Sequence, residues 1–138
     1  MGFLGGLFKK KQGTDPLDAM RARVEENPND ARLAQDLANQ LKAAGDLAGA
    51  QEYARRAAQA HQTAGFATKA LAVLKGAVAW GQPSPELLQD LANLFLELKH
   101  KEDARGTLMQ LRKMHAASGN TSALPAIDAQ LQELGPSR

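Results

Sequence analysis

The fold class this sequence predicts is all-α, a stack of antiparallel helices, and three observations predict it. The 138 residues include 26 Ala and 20 Leu but only three Val and one Ile. Ala and Leu are strong helix formers, whereas strands need β-branched and aromatic side chains. Large apolar residues recur at helical spacing between capping residues and glycines, as in Leu33, Leu37 and Leu41 before Gly45. The chain also repeats itself after 54 residues. With one Trp, one Tyr and four Phe, the core must be built by close approach of helices through Ala.

Each element has its own signals. Asp15 is a good N-cap and Pro16 suits the first helical position, where a missing N–H costs nothing. The first helix is expected over about 16–26, ending before the turn cluster Asn27-Pro28-Asn29-Asp30. Asp30 caps the second helix, which ends at Gly45. Asp46 opens the third, expected to about Thr63 before Gly65, and the fourth follows over about 67–80 to Gly81. Gln82-Pro83-Ser84-Pro85-Glu86 combines a turn with a cap, so the fifth helix runs from there to about Leu98. The sixth is expected over about 101–117, before Gly119-Asn120. The seventh takes about 121–134, with Pro125 in its first turn and Gly135-Pro136 closing it. Short loops between seven helices imply antiparallel neighbours.

A slide of 54 residues places Leu33, Gln35, Asp36, Leu37, Ala38, Asn39, Ala50, His61 and Gly65 on Leu87, Gln89, Asp90, Leu91, Ala92, Asn93, Ala104, His115 and Gly119. Each copy holds three helices and the run QDLAN. A second period of 34 places Gly65, Ala70, Leu74 and Ala77 on Lys99, Ala104, Leu108 and Leu111. This order of small and large apolar residues resembles the tetratricopeptide repeat (TPR). Ala34, Leu37, Ala38 and Leu41 match that family's first helix, Gly45 its turn, and Ala50, Ala54 and Ala57 its second helix. Pro28 stands where a preceding repeat's last proline would fall. Leu88, Leu91, Ala92 and Phe95, then Ala104, Leu108 and Leu111, give a second match. The resemblance covers most of residues 16–134 and implies a TPR-like α-solenoid of about seven antiparallel helices, built here from the tandem duplication. The sequence departs from the family in its turns, at 45, 65, 99 and 119, spaced 20, 34 and 20, with Lys99 in place of a glycine.

No catalytic constellation is visible, so no enzyme activity and no cofactor are expected. Cys is absent, which removes thiol chemistry, disulfides and common zinc sites. His61 and His115 each precede a helix-ending glycine by four residues, a place where imidazole interacts well with the last carbonyls. As equivalents in two copies they are expected one unit apart, not together on a metal. His100 opens a turn without an evident partner.

QDLAN is the stronger candidate. Gln35 and Asn39 share a helix face, as do Gln89 and Asn93. The TPR resemblance implies that this first-helix face lines a concave groove that contacts bound peptides, and amides offer both donors and an acceptor to such a ligand. Arg32 and Lys42 continue the face in the first copy, Glu86 and Leu96 in the second. The family's clamp for carboxylate-ended peptides implies Lys at the positions of Gln35 and Gln89, so that ligand class is not expected.

Residues 1–13 form a tail of different composition. Wound as a helix they place Phe3, Leu4, Leu7 and Phe8 on one face, followed by Lys9, Lys10 and Lys11. Burial of four such side chains yields about 6–12 kcal/mol gross, and ordering the segment costs a comparable amount. Docking through the tail is thus expected to be weak and reversible. Without the tail, 14 basic and 15 acidic residues remain, so the body lacks the positive excess of a nucleic-acid binder. Gly6 stands where N-myristoylation requires Ser or Thr. No run approaches the length of a membrane span, and the lysines follow the apolar run rather than precede it, unlike a secretory signal. The sequence therefore predicts a cytoplasmic interaction adaptor. It would hold a partner protein segment on the concave face or through the tail; the alternative is a peripheral membrane-associated assembly factor anchored by residues 1–11.

Overall fold

The computed structural model describes residues 15–136. Among them are seven α-helices: α1 (Pro16–Glu26), α2 (Ala31–Ala43), α3 (Leu47–Thr63), α4 (Ala67–Ala79), α5 (Pro85–Glu97), α6 (Lys101–Ser118) and α7 (Leu124–Leu134). There is no strand among the described residues. The starts follow from capping. Asp15, Asp30, Asp46 and Ser84 accept hydrogen bonds from the backbone N–H of Leu17, Leu33, Gly49 and Leu87 at 2.9, 3.1, 2.9 and 3.1 Å.

Four helix ends share one turn. Asp46, Phe66, His100 and Asn120 donate their N–H to the carbonyls of Leu41, His61, Phe95 and His115, and the residue before each donates to the carbonyl three residues back, nested inside that bond. This is the Schellman arrangement, which requires a left-handed residue between the two bonds. Gly45, Gly65 and Gly119 supply it, and Lys99 does the same at φ 67°. The 20, 34, 20 spacing therefore marks four equivalent turns.

The tandem unit is structural as well as sequential. Adding 54 to the bounds of α2 gives those of α5, and α3 maps onto α6 with one further residue. The third helix differs: α4 starts at Ala67, whereas α7 is preceded by a 3₁₀ turn over Thr121–Ala123. Pro125 explains this, because its ring obstructs an α-helical carbonyl four residues back, at Thr121.

Each helix packs on its chain neighbours, and α3 also packs on α5. Ala50, Ala54, Ala57, Ala58 and Ala60 of α3 are all buried, so this central helix meets its neighbours through small side chains. α5 joins the two units: Leu87, Leu91, Leu94 and Phe95 enter one core with α2–α4, while Leu88 and Ala92 enter a second with Leu108, Leu111 and Ile127. The result is the TPR-like stack of antiparallel hairpins.

Polar contacts fix the junction. Arg55 of α3 grips Asp90 of α5 with Nε–Oδ2 at 2.6 Å and Nη2–Oδ1 at 3.4 Å. Seven residues on, Gln62 meets Glu97 at 3.4 Å. The constant offset means that α3 and α5 run parallel. The buried Gln51 side chain accepts from Ser84 N–H at 2.8 Å and donates to the Gln82 carbonyl at 2.9 Å. At the equivalent place in the second unit, Arg105 donates to the Gly135 carbonyl at 2.8 Å. Two different side chains thus hold the same turn.

Candidate partner-binding site

The amide pair of the first unit lies on α2. Gln35 Nε2 donates to Asn39 Oδ1 at 3.0 Å. Facing it is α4, and the two helices enclose an open groove of about 310 Å³ lined by Gln35, Asn39, Ala72, Val73, Gly76 and Trp80. Lys42, one turn beyond Asn39, sits over the Trp80 ring at 6.0 Å from its centroid. The groove therefore has a hydrogen-bonding wall, an apolar wall and a cationic end. Gln35 Oε1 is buried and meets no donor, leaving that side chain under-satisfied.

The second unit keeps the same pair in the same geometry, with Gln89 Nε2 donating to Asn93 Oδ1 at 3.0 Å. Here the pair is occupied from within. Gln130 of α7 accepts from Gln89 Nε2 at 3.4 Å and donates to Asn93 Oδ1 at 3.5 Å. Gln130 is the 54-residue equivalent of Gly76. A residue change on the third helix thus closes one copy of the site and leaves the other open.

The structure does not gather the eight expected partner-binding residues into one groove. Gln35, Asn39 and Lys42 lie together with α4, whereas Arg32 is exposed on the first turn of α2, away from the groove lining. Gln89 and Asn93 face α7, and Leu96 is half-buried against the first core. Glu86 lines a separate depression at the unit junction with Gln51, Arg55 and Ser84. There the Asp90 hydrogen bond, supported by the charges of Asp90, Glu52 and Glu86, holds the Arg55 guanidinium above its ordinary pKa. The tail residues Phe3, Leu4, Leu7, Phe8, Lys9, Lys10 and Lys11 lie outside the described residues.

His61 and His115 occupy the last turns of α3 and α6, with His115 Nδ1 3.1 Å from the Asn120 amide. Among the described residues no group of three or more His, Asp or Glu side chains is placed to hold a metal ion. No helix of the described residues is long and apolar enough to cross a membrane.

Gly76, Trp80, Val73 and Gln130 were not among the expected site residues. The slide that pairs the two QDLAN runs also pairs Gly76 with Gln130, and the signal was this difference rather than the identities.

No protein-family model matches the chain, and no curated protein matches it. Among solved structures, it is similar to YrrB, described as a TPR protein with an unusual peptide-binding site. The identity is 17%, covering 87% of this chain and 76% of that chain, with a TM-score of 0.42. The TPR-like architecture is carried by this chain's own helix order, four equivalent turns and tandem unit.

Proposed function

We propose that the protein is a non-enzymatic interaction scaffold that accepts a segment of a partner protein in the groove between α2 and α4. The observation that carries this is the open notch at Gly76, where the other unit is filled by its own Gln130. Such a groove offers what an extended segment needs: paired donors and acceptors on Gln35 and Asn39, apolar contact on Val73 and Trp80, and a cation at Lys42. The test is photocrosslinking in cells with a benzophenone residue at Ala72, on the groove, and at Ala116, on α6. A protein crosslinked from position 72, not from 116, and lost in Gly76→Gln supports the groove. Equal crosslinking from both positions contradicts it.

Residues 1–13 are proposed as a separate contact, carried by four large apolar side chains and three lysines without an acid. Deleting them is expected to reduce recovery on anionic vesicles or on the partner while leaving the melting temperature of the helical body within a degree or so. A fall of several degrees would make the tail part of the fold.

A further inference from the structure

The second unit contains, at the register of the open notch, the ligand for its own amide pair. Gln89 and Asn93 present an N–H beside an oxygen, and the Gln130 carboxamide meets them with an oxygen beside an N–H. The first unit has the same pair at the same 3.0 Å spacing and lacks only the third carboxamide.

The fold itself does not require that vacancy. Gly76 lies inside α4 and is not among the residues with positive φ. A Cβ built there would meet no atom within 4 Å. Glycine inside a helix is unfavourable relative to alanine, so neither backbone nor packing explains it. The flanking positions keep their apolar character: Val73 and Trp80 correspond to Ile127 and Leu134, which pack in the second unit's core. The methylenes of an incoming side chain would find the same kind of cover.

We propose that the first unit's groove recognises a primary carboxamide, the side chain of a glutamine or asparagine on the partner segment, through Gln35 and Asn39. This rests on the groove reading above and names its ligand chemistry. The carboxamide oxygen accepts the second N–H of Gln35 Nε2, and its syn N–H donates to Asn39 Oδ1. A carboxylate brings an oxygen against the Asn39 oxygen and is repelled. A backbone amide carries its N–H anti to its carbonyl, so one peptide group makes only one of the two bonds.

Three small probes separate these cases: propionamide, N-methylpropionamide as a backbone mimic, and propionate. Each is titrated to about 100 mM, a range suited to fragments of so few atoms, while the ¹⁵N side-chain NH₂ signals of the full-length protein are followed. Propionamide is expected to shift Gln35 and Asn39 saturably and to leave Gln89 and Asn93 unmoved. The other two probes should bind at least about fivefold more weakly, each losing a hydrogen bond. Gly76→Gln should abolish the response, because the installed carboxamide fills the site as Gln130 does. Equal shifts from all three probes, shifts at Gln89 and Asn93 as large as at Gln35 and Asn39, or no shift with propionamide would each overturn the assignment. A groove that keeps its partner crosslink while showing no preference among the probes loses the carboxamide assignment alone. Loss of that crosslink's dependence on Gly76 sinks the groove reading itself.

Discussion

A lysine stands where three equivalent turns use glycine. Lys99 adopts φ 67° to complete the Schellman turn after α5. In this region the Cβ crowds the following carbonyl, which glycine avoids. Lys99→Gly is therefore expected to raise stability by about 1 kcal/mol, read as a later denaturation midpoint at unchanged slope. An unchanged or earlier midpoint would mean that Lys99 contributes more through its side chain than its backbone costs. Local chemistry of this kind is what a sequence displays best. Asp15, Asp30, Asp46 and Ser84 announce helix starts because a short side-chain acceptor and the orphan N–H groups lie within three residues of each other. Even the departure at Lys99 is visible, since the turn's register is set by its neighbours. The exchange of Gln51 for Arg105 is not: two unlike side chains perform one task, and the carbonyls they hold are 31 and 30 residues away.

At the scale of the helix, alanine decides how closely elements approach. Ala50 and Ala104 are fully buried between paired helices in the two units. Enlarging either to Leu forces the hairpin apart and should cost about 1–3 kcal/mol; if both variants keep the parent midpoint, the helix register proposed for the pairs is wrong. The helix bounds were legible because caps and glycines bracket them. The start of α7 is less so: the sequence predicts an α-helix from about 121 with Pro125 in its first turn, whereas the proline ring delays the α-helix to Leu124 and leaves a 3₁₀ turn before it. The candidate site divided in the same way. The pairs Gln35/Asn39 and Gln89/Asn93 could be read from a four-residue spacing, but what faces them depends on a third helix some 40 residues further on. Tertiary packing brought Gly76 to one pair and Gln130 to the other.

At the scale of the whole molecule, the two units are alike in plan and unlike at one corresponding face, an inner junction in the first unit and an exposed surface in the second. In the first unit Ala58 and Leu74 are buried in the core shared with α5. Their equivalents in the second unit, Arg112 and Asp128, form an exposed ion pair with Nε–Oδ1 at 2.6 Å. The Arg112 hydrogen bond holds the Asp128 carboxyl below its ordinary pKa, so the pair persists as pH falls into the range where other carboxylates take up protons. A polar outer face is what keeps the end of a helical stack soluble. Restoring the first unit's residues with Arg112→Ala and Asp128→Leu is expected to make the protein self-associate. Sedimentation velocity would show a concentration-dependent increase in sedimentation coefficient; a strictly monomeric variant would remove this role for the pair.

The proposed division of function between the two amide pairs leaves one open to a partner and one closed upon the chain. The most direct measurement is the affinity of the crosslinked partner for two double variants, Gln35→Ala/Asn39→Ala and Gln89→Ala/Asn93→Ala, with a melt of each. The first should lose the partner by about tenfold or more, as expected where a ligand's polar groups are left without hydrogen bonds, and should melt nearly as the parent does, since an i,i+4 amide pair along one helix contributes only about 0.2–0.5 kcal/mol. The second should bind as the parent does and melt earlier, having lost the bonds to Gln130, at about 0.5–1.5 kcal/mol each. Equal affinity in the two variants, or a loss confined to the second, would contradict that division.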